Sequence, residues 1–147
     1  MERTRALIKR HEGKRNVAYL DSRGFWTVGW GHCFSSDEII NTETHPTWSD
    51  NEIEILFEHD FKIALSDFHA LFPQVRMTSA RQAVLVDMLF NLGRPQFIKF
   101  RKMIRAILRD DWIEAGREMR NSRWFAQVGH RGEENATMLE TGDWQEC

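Results

Sequence analysis

A chain of 147 residues is long enough for one sizeable core, or for two small lobes that share a helix. With 41% hydrophobic and 29% charged residues it has an ordinary globular composition, and no apolar run approaches the ~20 residues that cross a bilayer. A formal net charge of −2 gives no general attraction to nucleic acid or to an anionic membrane, so nucleic-acid binding and stable membrane insertion are set aside.

The N-terminus, Met1-Glu2-Arg3-Thr4-Arg5, leads into a segment broken by Lys9, Arg10 and Glu12. It has no apolar h-region, so no export signal is expected. Cys33 and Cys147 lie far apart and lack metal-site spacing, and two thiols are expected rather than a bridge. No metal or cofactor is implied.

From Thr4 to Glu12, Leu7, Ile8, His11 and Glu12 recur at helical offsets, and Gly13 suits the left-handed position that ends a helix. Glu12 then stands in the last turn, where the helix dipole disfavours a carboxylate and raises its pKa, as burial also would. A raised pKa suits a general acid; the plainer alternative is an exposed helix-end residue. Val17 and Tyr19 alternate as a short strand, and Asp21-Ser22-Arg23-Gly24 reads as a turn. Phe25 to His32 is expected to return as one strand, with Phe25, Thr27, Gly29 and Gly31 on one face. The two glycines would leave that face open to a close approach. Turn former and β-hairpin glycine are the plain alternatives for Asp21 and for these glycines.

Phe34 to Pro46 lacks pattern and is expected to be loop, with at most one residual strand. Ser49-Asp50-Asn51-Glu52 is a capping box opening a long amphipathic helix through Ile53, Phe57, Phe61, Ala64, Phe68 and Leu71, stopped by Phe72-Pro73. A second capping box is expected at Ser79-Ala80-Arg81-Gln82, before a helix apolar nearly all round and ended by Gly93. Asp87 in that helix needs a buried partner. Pro95 opens a further helix with Phe97, Phe100, Ile104, Ile107 and Leu108 as its core face. Helices starting at Asp111 and Ser122 and one from Arg131 to Leu139 complete the chain. Six or seven helices and one small sheet make the fold class α+β, mainly α.

Glu12 and Asp21 are a pair of carboxylates in different environments, as cleavage of a glycosidic bond requires. The stretch around them, Glu12-Gly13, Tyr19, Asp21, Gly24, Thr27, Gly29, Gly31-His32, resembles the phage-type lysozyme family, the muramidase endolysins of glycoside hydrolase family twenty-four. The likeness continues through Met88-Leu89-Phe90-Asn91-Leu92-Gly93, Ser122-Arg123-Trp124-Phe125, Gln127 and Arg131, to Thr141-Gly142-Asp143-Trp144. It therefore covers essentially the whole chain.

The resemblance implies a two-lobed fold: a small β lobe at 13–48, a connecting helix at 49–72, and a helical lobe built from 1–12 with 73–147. It implies Glu12 as the acid that protonates the leaving oxygen, Asp21 as base or charge stabiliser on the opposite face of the sugar, and Thr27 as holder of the attacking water. His32, Cys33 and Phe90 are implied along the substrate groove, His32 chiefly as structural support. Arg131 is implied as the partner of Glu12, an ion pair that would lower the pKa the helix end raises. The chain departs from the family in being slightly acidic, in a shorter stretch before the long helix, and in a reversed pair, His11 with Glu134.

The expected activity is hydrolysis of β-1,4 bonds between N-acetylmuramic acid and N-acetylglucosamine in peptidoglycan, by a monomer held in the host cytoplasm and released through a holin pore. A virion-borne lysozyme, a non-catalytic wall-binding protein and a helical nucleic-acid binder are the alternatives.

Overall fold

A computed structural model describes residues 1–34 and 47–145. Most of the expected loop from Phe34 to Pro46, and Cys147, lie outside the described residues. The first helix, α1 (Glu2–Glu12), turns Thr4, Leu7 and Ile8 inward. Gly13 closes it, its N–H reaching the Lys9 carbonyl, but its ψ of 158° is extended rather than left-handed helical. The chain therefore passes straight from the helix into β1 (Arg15–Leu20).

An antiparallel sheet follows in the order β1, β2 (Trp26–Gly29), β3 (His32–Cys33). Tyr19 pairs with Thr27 and Leu20 with Trp26, while the register slips between Arg15 and Tyr19. The single strand expected over Phe25 to His32 is thus two strands. Gly29 and Gly31, at φ +67° and +80°, turn the backbone where any other residue would be strained. Nor is their side of the hairpin open: a Cβ on Gly29 would sit 2.8 Å from Ile53, and one on Gly31 would sit 2.8 Å from the Glu12 carboxylate. Simple alternation fails with it, since Thr27 and Val28 are both buried.

Ser49 caps α2 (Asp50–Leu71) with both hydrogen bonds of the expected box, to and from Glu52. At ~1.5 Å per residue, its 22 residues span roughly 33 Å. Its first buried residue, Ile53, joins a small cluster with Ala18, Val28 and Trp48. Phe57, Phe61, Ala64 and Phe68 enter a much larger cluster with α1 and the C-terminal helices. One helix thus serves two cores, and Trp30 packs against both.

The next helix, α3 (Ser79–Leu92), is buried continuously from Ala83 to Leu89 and lies at the centre of the larger cluster. Its cap is Thr78 rather than Ser79: the Thr78 hydroxyl accepts the Arg81 N–H, and Ser79 is already helical. The helix expected after Pro95 is two, α4 (Arg94–Phe97) and α5 (Arg101–Leu108). Phe100, at ψ 57°, bends the chain between them and resets the helical phase. The inward stripe becomes Met103, Ala106 and Ile107, while Leu108 is exposed. Then come α6 (Trp112–Arg120), α7 (Arg123–Val128) and α8 (His130–Thr141), making eight helices among the described residues. The fold is α+β and mainly α.

Candidate active site

Glu12 is the last residue of α1, pointing out of the large core toward the turn between β2 and β3. Its side chain is only 13% exposed. Arg131 of α8 donates Nη1–H to Oε1 at 2.9 Å, and Asn91 at the end of α3 approaches the same oxygen at 3.4 Å. Burial raises the Glu12 pKa, Arg131 opposes it by charge and hydrogen bond, and the nearby Asp87 charge adds to the rise. Burial prevails: the carboxyl stands above its ordinary value.

Asp21 meets the opposite conditions. At the head of the turn after β1, its Oδ1 accepts the Arg23 and Phe25 N–H groups at 2.8 and 2.9 Å. The Phe25 N–H is the leading cause holding its pKa below the ordinary value, against a burial penalty and helped by the Arg23 N–H and guanidinium. Thr27, in β2, is buried, and its hydroxyl donates to the Phe25 carbonyl at 3.1 Å. That bond uses the hydroxyl hydrogen and leaves the oxygen to accept from another molecule.

The three side chains line one cleft of about 620 Å³. Tyr19 and Cys33 of the sheet, Asp60 and Ile63 of α2, and Phe90 and Asn91 of α3 are among the residues that form its walls. A second groove, about 740 Å³, runs between α4 and α7 and shares Leu92 with the cleft, but neither Glu12 nor Asp21 reaches it. Among the described residues no group of three or more His, Cys, Asp or Glu could hold a metal ion.

A family model described as phage lysozyme matches residues 9–138, nearly the whole chain. The chain belongs to the phage lysozyme family. It is a glycoside hydrolase of the lysozyme type. Among its relatives, "Probable T4-type lysozyme 2" of Dictyostelium discoideum is 28% identical, covering 95% of each chain. "Probable T4-type lysozyme 1" of the same organism is 26% identical over 92% of each. The "Pre-baseplate central spike protein Gp5" of Enterobacteria phage T4 is 26% identical over 93% of this chain but only 27% of its own length.

Within the lysozyme cleft, Cys33 and Phe90 line the wall, whereas His32 stands behind it. His32 Nδ1 lies 2.7 Å from Asp60 Oδ2, so its hold on the cleft passes through that carboxylate. Arg131 is 9% exposed and faces two carboxylates, Glu12 and Asp87. The reversed pair is also present, with His11 Nε2 against Glu134 Oε1. Residue types alone did not single out Asn91, which accepts the Trp124 indole N–H at 2.8 Å while approaching Glu12. Its signal was an amide following Phe90 at the end of an apolar helix. Asp60 carried no such signal, because one acid on the polar side of α2 resembles any other.

Proposed function

We propose that this lysozyme is an endo-acting N-acetylmuramidase that hydrolyses the β-1,4 bond between N-acetylmuramic acid and N-acetylglucosamine in peptidoglycan. The observation that carries the proposal is the divergence of two carboxyls lining one cleft: Glu12 is pushed up by burial, and Asp21 is pulled down by backbone N–H groups. Such a pair divides into a proton donor and a standing anion. Glu12 protonates the glycosidic oxygen as the bond breaks. Asp21 faces the sugar ionised, stabilising the oxocarbenium-like transition state or drawing a proton from water. Thr27 supplies an acceptor that orients this water, its own hydrogen being held by the Phe25 carbonyl. Cys33 and Phe90 shape the groove for the glycan, and Arg131 holds the donor in place.

The biological setting proposed is that of an endolysin, accumulating in the host cytoplasm and reaching the wall through a holin pore for host lysis. The match to a baseplate spike protein favours a second setting, a virion-borne lysozyme used during infection. Digestion of purified peptidoglycan tests the reaction: muropeptides with reducing N-acetylmuramic acid ends support it, and reducing N-acetylglucosamine ends contradict it. Cytoplasmic expression with and without a holin tests the setting. Lysis only with the holin supports the endolysin role, and activity confined to purified virions supports the other.

A further inference from the structure

Asp87 has no exposed surface, yet it lies in a run of α3 that is otherwise apolar from Ala83 to Leu89. Its carboxylate is met from two other helices. From α8, Arg131 donates Nε–H to Oδ2 at 3.1 Å and Nη2–H to Oδ1 at 2.8 Å, and Asn135 donates to Oδ2 at 2.8 Å. From α1, His11 Nδ1 lies 3.0 Å from Oδ2. The other ring nitrogen of His11 faces Glu134, whose second oxygen accepts from Arg10 at 3.0 Å. A ring with a carboxylate at each nitrogen donates both bonds only as an imidazolium.

A guanidinium grips a carboxylate most strongly with two parallel N–H bonds. Here the Nε–Nη2 fork of Arg131 is turned toward Asp87, and Glu12 receives Nη1. We propose that Asp87 is a positioning residue for glycoside cleavage: by holding the fork of Arg131, with His11 as its second cationic partner, it denies Glu12 a two-bond ion pair and leaves the Glu12 carboxyl able to carry a proton. This rests on Glu12 being the proton donor. Around Glu12, Arg131 and Asn91 favour the anion, while burial and the Asp87 charge favour the acid, in keeping with its raised pKa.

Two substitutions should act in opposite directions. Asp87→Asn removes a negative charge and frees the Arg131 fork for Glu12, which then ionises at lower pH. His11→Gln removes a cation from Asp87, which holds Arg131 more firmly, and Glu12 keeps its proton to higher pH.

The experiment follows the Glu12 carboxyl by carbon-13 NMR titration, its signal assigned by its loss in Glu12→Gln. It is run beside the pH profile of kcat on purified peptidoglycan. At the pH where wild type is half-maximal on its alkaline side, Asp87→Asn should retain roughly twofold less of its own maximum, the effect of a midpoint lowered by about half a pH unit. Its Glu12 midpoint should fall in step, and His11→Gln should raise both. The proposal is overturned if Asp87→Asn leaves the midpoint unmoved or raises it, if both variants move it the same way, or if kcat drops equally at every pH. Should Asp87→Asn fail to fold by circular dichroism, an unmoved or lowered midpoint in His11→Gln overturns the proposal alone. If Glu12→Gln cleaves the wall like wild type, the assignment of the donor fails, while the NMR displacements still decide whether Asp87 sets how Glu12 holds its proton.

Discussion

At the scale of single residues, two carboxyls of similar chemistry are driven apart by their surroundings. Glu12 loses water on one side and gains one strong hydrogen bond; Asp21 keeps solvent and gains two backbone N–H donors. The proposed mechanism needs Asp21 ionised and Glu12 protonated, so activity should rise as pH climbs through the lowered Asp21 value and fall through the raised Glu12 value. The window should be wider than two ordinary carboxyls allow. A kcat profile on solubilised glycan with both limbs inside the ordinary carboxylate range would contradict this. Arg131 makes a separate prediction. Replacing it with Met leaves Asp87 buried with His11 as its remaining cation, and should cost about 3 kcal/mol in urea unfolding. A loss below ~1 kcal/mol, the range of an exposed pair, would show that Arg131 is not needed to neutralise Asp87.

Secondary-structure elements differ in how plainly the sequence announces them. Long amphipathic stretches with side-chain caps, such as α2 with Ser49 and Glu52, are legible because cap and stripe state one boundary twice. Ser49→Ala should therefore cost about 1 kcal/mol, with the thermal midpoint as the check. Short elements are less legible. The break at Phe100 and the turn at Gly29 to Gly31 depend on what the chain packs against, namely the large core in one case and Ile53 and Glu12 in the other. No local pattern encodes Ile53 against Gly29. Gly31→Ala tests the turn directly. It combines a positive φ, costing about 1–3 kcal/mol, with a methyl placed 2.8 Å from Glu12 Oε2. Activity should fall by more than the stability change explains, measured as kcat on a fully folded sample; unchanged kcat would show that the Glu12 carboxyl can be displaced without loss, or is not the proposed donor.

Over the whole molecule, the fold brings together residues that no local reading connects. Glu12 and Arg131 are 119 positions apart, and they meet because α1 and α8 both pack on α3. The need of Asp87 for a partner was legible in an apolar helix, but which cation would answer was not, since Arg131 and His11 arrive from opposite ends of the chain. This three-helix network also makes stability depend on pH. Burial alone would raise the Asp87 pKa, but His11 and Arg131 override it and hold it below the ordinary value. The stabilisation is therefore full above the unfolded-state carboxylate value and is lost as pH falls through the depressed folded value. The unfolding free energy should drop steeply in acid, and Asp87→Asn should flatten that drop; an unaltered acid slope would show that other groups set it.

The most direct test of the central claim is the clearing of purified peptidoglycan by wild type beside Glu12→Gln, with product ends identified by mass. The account predicts reducing N-acetylmuramic acid ends from wild type and almost none from a Glu12→Gln protein that folds normally. Equal clearing by the two proteins would contradict it, because the buried carboxyl at the end of α1 would then not be the proton donor.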